Sequence, residues 1–165
     1  MGIRLAVFAC GNSTRGDDAL GLALLARVEA VCFPGVETRE DFQFQIEHTL
    51  DLQQADLALF LDAATNTDTP ISFYEVDAAS GSSMPSTHAL APADLLAVYL
   101  RAFGKAPPPA FVLAVKGDDF KLGEGLTQAA QGRLDAAWPF LRDLCAAPDA
   151  ARWRRLVGAV GTGGG

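Results

Sequence analysis

The residues whose types and spacing can do chemistry are few: Asp17 and Asp18 side by side, Asp62, and the two histidines His48 and His88. The acidic pair lies in Gly11-Asn12-Ser13-Thr14-Arg15-Gly16-Asp17-Asp18-Ala19-Leu20-Gly21, and Asp62 directly follows the apolar run 57–61. His88 follows a stretch rich in Ser and Gly and precedes Pro92, which places it on a connecting segment, where functional groups concentrate. Asp18, Asp62 and His88 together make a sparse metal-ligand set with open positions, suited to borderline ions such as nickel or zinc. Simpler roles stand beside this one. Asp17 and Asp18 can cap a helix and complement its dipole, and Asp62 and His88 can bond nearby backbone. His48, within 46–54, reads as a partly exposed helical histidine with no special task.

Other chemistries fit less well. The glycines after the first strand do not form a dinucleotide fingerprint, and two adjacent anions would oppose a phosphate there. No G-x-S-x-G elbow is present. Cys10, Cys32 and Cys145 are widely spaced among apolar neighbours, away from any recognisable histidine motif, so buried free thiols are expected rather than a nucleophile, a zinc motif or disulfides.

The elements that must position these groups follow from hydrophobic patterning. Residues 3–10 read as a buried strand ending at Gly11-Asn12. Leu20, Leu24, Val28 and Val31 recur at helical spacing up to Phe33-Pro34-Gly35. A second strand is expected over 36–45, with Val36, Thr38, Phe42 and Phe44 on one face as ordinary core, followed by a short helix over 46–54. The run 57–61 predicts a third, buried strand that delivers Asp62 at its carboxyl end. Further strands are expected over 71–76 and 110–115, a loop over 79–85, and a helix from Pro92 closed by Gly104. The last long helix starts after a Thr127 cap and runs through Leu134, Leu141 and Leu144, with a kink at Pro139. Arg152, Arg154 and Arg155 read as a solvated basic face.

Helices alternating with buried strands predict an α/β three-layer sandwich with a mostly parallel twisted sheet, whose ligands sit beyond the carboxyl ends of the strands. A single domain over 1–158 is expected, with 159–165 as a flexible glycine-rich tail. The 165 residues are 50% hydrophobic, which supplies a core for one domain. The net charge of −7 repels phosphate backbones and anionic lipid, so neither nucleic acid nor membrane is an expected partner. No apolar run reaches the ~18 residues of a spanning helix, and no cleavage signal is evident, so a soluble cytoplasmic protein is expected.

The pattern Gly11-Asn12, four residues, Asp17-Asp18, two residues, Gly21 resembles the opening signature of the hydrogenase maturation endopeptidases. The resemblance covers about Ile3 to Leu144, although only this opening signature is specific. It implies that Asp18, Asp62 and His88 bind a metal and carry catalysis; many members have Glu where this chain has Asp18. It further implies an aspartyl-type protease that removes the C-terminal extension of a nickel-iron hydrogenase large-subunit precursor once nickel is inserted. Nickel would then arrive with the substrate, held by its thiolates, and no tightly bound resting metal is expected. Many members also carry an Asp-Gly-Gly-Thr-like turn after the second strand. Here the segment is Asp41-Phe42-Gln43-Phe44-Gln45-Ile46-Glu47-His48, which resembles the branch serving bidirectional, NAD-linked hydrogenases and is a candidate substrate contact. Two rival readings remain open. One is a non-catalytic metal- or nucleotide-binding module on the same scaffold, which would bind ligand without substrate. The other is a metal-loaded hydrolase of small molecules.

Overall fold

The structure, a computed structural model, describes residues 2–80 and 90–159. Three apolar strands form the centre: β1 (Leu5–Cys10), β3 (Leu57–Ala64) and β5 (Ala110–Lys116). They are flanked by β2 (Val36–Asp41) on one edge and β4 (Ile71–Val76) on the other, in the order β2-β1-β3-β5-β4. Every pairing is parallel except β4 with β5. Parallel strands need helical crossovers that cover both faces, which is why the central strands are apolar at successive positions rather than at alternate ones.

The alternation of side chains splits the core into two layers. Leu5, Val7 and Ala9, Leu57, Leu59 and Leu61, and Phe111, Leu113 and Val115 meet α1 (Leu20–Val31), α4 (Gln128–Ala146) and α5 (Ala150–Leu156). Ala6 and Phe8, Ala58 and Phe60, and Ala110, Val112 and Ala114 meet α2 (His48–Gln53) and α3 (Pro92–Phe103). The result is the expected α/β sandwich of three layers. From β1 the chain steps outward to β2 and then returns past β1 to β3, so the switch point of the sheet lies between β1 and β3. A crevice opens at such a point, outside the carboxyl ends of the strands.

Several boundaries depart from expectation. β2 ends at Asp41 instead of reaching residue 45, because its one partner strand ends at Cys10, which is paired with Asp41. Phe42 is therefore not core: it is 74% exposed, while Phe44 packs on Phe8 and Phe60. Asp17 and Asp18 do not cap α1; they lie in a 3-10 turn before it, and the N-cap residue is Ala19. Cys32 closes α1 in the left-handed conformation ahead of Pro34 and is exposed, unlike the buried Cys145 and half-buried Cys10. The Thr127 cap is formed, its Oγ1 accepting the Ala130 N–H at 3.1 Å. α5 was not expected: Asp149 caps it, Trp153 enters the core, and Arg154 pairs with Glu75 of β4 at 2.9 Å. Only part of the arginine cluster is therefore free surface. Among the described residues no helix is long and apolar enough to cross a membrane.

Candidate active site

The loop after β1 is shaped by what its glycines approach. A Cβ on Gly11 would lie 2.2 Å from the backbone oxygen of Asp18, and one on Gly21 would lie 2.8 Å from the Leu61 carbonyl. Neither contact tolerates a side chain, so these glycines let the loop fold back on itself and let α1 press on β3. The Asn12 side chain closes the turn, its Oδ1 accepting from the Thr14 N–H at 2.9 Å. The Asn12 N–H donates to Asp18 Oδ2 at 2.6 Å and so orients that carboxylate.

The two adjacent acids have different tasks. Asp17 is fully buried and its carboxylate accepts from the backbone N–H groups of Asp118 (2.7 Å), Asp119 (3.2 Å) and Thr127 (2.7 Å) and from Thr127 Oγ1 (2.9 Å). Burial pushes its pKa up, but these hydrogen bonds outweigh it and hold Asp17 below the usual carboxylate value. It is a structural staple between the start of α1 and the β5–α4 loop. Asp18, half-buried, is left to face the switch point.

Asp62 lies near the carboxyl end of β3, before Ala63 and Ala64, on the sheet face that carries Ala58 and Phe60. It keeps solvent contact, yet the protein packed around its carboxyl desolvates it and raises its pKa. The Ala63 N–H opposes the rise and the charge of Asp18 adds to it. Asp62 therefore lies within electrostatic reach of Asp18, and the two groups meet at one end of the sheet. Between them Cys10 ends β1, its thiol pushed up to about 12 by desolvation and then by Asp41, Asp62 and Asp18, against a lowering backbone hydrogen bond from Asp41. At neutral pH Cys10 is a thiol, which excludes it as a thiolate nucleophile.

No family model and no curated protein matches the sequence. Solved structures do. The hydrogenase maturating endopeptidase HybD from Escherichia coli matches with a TM-score of 0.70 over 86% of this chain and 92% of its own, at 20% identity. The nickel-iron hydrogenase maturation protease HycI from Thermococcus kodakarensis matches at 0.67, over 87% of this chain and 92% of its own, with 18% identity. An endopeptidase from Escherichia coli solved in solution gives 0.67 over 84% and 90%, with 23% identity. The chain has the hydrogenase maturation protease fold. At these identities the likeness speaks for the fold.

Within this maturation-protease fold, two of the three predicted ligands, Asp18 and Asp62, come within electrostatic reach of each other. His88 lies outside the described residues. Leu90, two positions later, is bridged to Phe44 next to α2. Among the described residues no group of three His, Cys, Asp or Glu side chains is arranged to hold a metal ion. Asp18 and Asp62 offer hard oxygen donors, which suits two positions of an incomplete coordination sphere and not a closed structural site.

Two residues near the site belong to the segment that the sequence offers as a candidate substrate contact, neither of them singled out within it. Asp41 ends β2 beside Cys10, with its Oδ1 accepting the Phe42 N–H at 2.7 Å. His48, expected to be partly exposed, is only 9% exposed, because Phe8 and Phe44 pack edge-on against its ring. The signal was available in Phe44, His48 and Leu52, which recur at a spacing of four and share the inner side of this segment.

Proposed function

We propose that this protein is an endopeptidase that removes the C-terminal extension of a nickel-iron hydrogenase large-subunit precursor after nickel insertion. The observation that carries the reading is the placement of Asp18, in the loop after β1, and Asp62, near the carboxyl end of β3, within electrostatic reach of each other in a chain with the maturation-protease fold. Nickel belongs to the substrate: Asp18, Asp62 and His88 contact an ion that the precursor already holds, and the site is incomplete without it. Asp18 reaches it preset by the Asn12 N–H. The raised proton affinity of Asp62 suits its free oxygen to take a proton from the attacking water. The free thiols, one of them exposed, suit a reducing compartment, and we place the reaction in the cytoplasm. The segment from Asp41 to His48 favours a precursor of the bidirectional, NAD-linked class.

Gel analysis of a nickel-loaded precursor incubated with the purified protein tests the reading. A shortened product is expected with wild type and is lost in Asp18→Ala, Asp62→Ala and His88→Ala while their melting transitions persist. Ligand binding without any cleavage would instead support the non-catalytic module.

A further inference from the structure

Tyr74 stands on β4, the antiparallel edge strand, outside the pair formed by Asp18 and Asp62. Ile71 and Phe73 of this strand turn to the layer of α1 and α4, and Val76 joins the layer of α2 and α3. Successive side chains of a strand alternate, so Ser72 and Tyr74 share the face of Val76, which is also the face of Asp62. The register orders that face into rows. Asp62 of β3, Ala114 of β5 and Ser72 of β4 lie side by side across the strands, and Phe60, Val112 and Tyr74 form the row next to them.

Side-chain size decides what stands between the carboxyl and the phenol. Ala114 and Ser72 are small, so within the sheet no large side chain rises between Asp62 and the Tyr74 ring. Burial pushes the Tyr74 phenol up from its ordinary pKa, and the charge of Asp62 adds to the rise, which puts the hydroxyl within electrostatic reach of Asp62. The phenol therefore keeps its proton at neutral pH. Tyr74 is also 41% exposed, and its hydroxyl has no hydrogen-bond partner among the described residues. β4 and the loop after β1 lie on opposite sides of β3, so Asp62 has a carboxylate on one flank and a neutral donor on the other.

Resting on the protease reading above, we infer that Tyr74 is a substrate-contacting residue whose O–H donates to a main-chain carbonyl of the precursor beside Asp62. A chain cleaved at Asp62 continues to both sides of that carboxylate, and on the β4 side it crosses the low floor made by Ala114 and Ser72. Two acids in the site oppose an anionic acceptor, whereas a peptide carbonyl accepts from a phenol without adding charge. The contact is made before and during the chemical step alike, so it fixes how the extended chain lies and leaves the chemistry to the acids.

Steady-state cleavage of the same nickel-loaded precursor tests this, with wild-type cleavage as the control for the function itself. Tyr74→Phe removes one oxygen and keeps the ring. It is expected to raise KM about 3-fold to 10-fold, the scale of one neutral hydrogen bond, with kcat within about twofold and the melting temperature unchanged. An unchanged KM would overturn the inference and leave Tyr74 as the surface of an edge strand. A lowered kcat with the rising limb of the rate moved along the pH axis would also overturn it, because the hydroxyl would then act through Asp62. Absence of wild-type cleavage would contradict the protease reading itself and take this contact with it.

Discussion

The carboxylate of Asp17 accepts the backbone N–H of Thr127 at 2.7 Å, across 110 residues of sequence. The same side chain takes the amides of Asp118 and Asp119, so one buried anion fastens the loop after β1 to the loop after β5. The Asp18 loop owes its position to that staple.

Asp17→Asn should therefore destabilise the fold by about 2 to 3 kcal/mol, since its amide NH2 would face N–H donors and leave buried partners unsatisfied. Chemical denaturation at neutral pH measures this. The folded-state pKa of Asp17 is depressed below its ordinary 3.8, so its contribution is present above that value and lost as pH falls through the folded pKa. The difference between wild type and variant should shrink in acid below about pH 4; a difference that stays constant would remove the staple.

Asp62 carries the opposite sign. Its folded-state pKa is raised, so ionising it costs folding stability, and that cost appears as pH rises through the folded pKa. Asp62→Asn should leave the melting temperature at neutral pH equal or slightly higher while abolishing cleavage. The rising limb of the wild-type rate against pH should also lie above the ordinary 3.8. A variant that melts lower and cleaves normally would place Asp62 in the scaffold.

Gly21 sets the spacing between the two acids. An added methyl would meet the Leu61 carbonyl at 2.8 Å, one residue before Asp62. Gly21→Ala should cost about 1 to 3 kcal/mol from overpacking and lower cleavage beyond what that loss explains, because α1 is pushed off β3. Thermal unfolding and rate measurements on the same preparation separate the two effects.

The cysteines offer a chemical check. Cys32 is exposed, whereas Cys10 and Cys145 have thiols pushed up to about 12. Brief alkylation at neutral pH, read by peptide mass mapping, should modify Cys32 first and leave the other two until the protein is unfolded. Rapid labelling of Cys10 would mean that its carboxylate surroundings are wrong.

The central strands were legible because burial on both faces writes itself as unbroken apolar runs, as in Leu57 to Leu61. β2 was legible only in part. It is a charged edge strand, and the alternation that Phe42 and Phe44 continue in sequence has no strand left to pair with beyond Cys10. α5 was hidden because its seven residues read as a basic cluster, although Pro148-Asp149 is a start signal. The loop signature located Asp18 and the carboxyl end of β3 located Asp62. What separates Asp17 from Asp18 is a set of partners at 118–127, and no local pattern around either residue encodes that. His48 was misjudged for the same reason: its burial depends on Phe8, which arrives from another strand.

The central claim is cleavage gated by substrate nickel, and intact-mass spectrometry of a hydrogenase large-subunit precursor, nickel-loaded and nickel-free, before and after incubation with this protein, tests it most directly. Loss of a C-terminal peptide from the nickel-loaded form alone is the predicted result. An unchanged mass in both forms would contradict the protease reading, and equal trimming of both would contradict the gating.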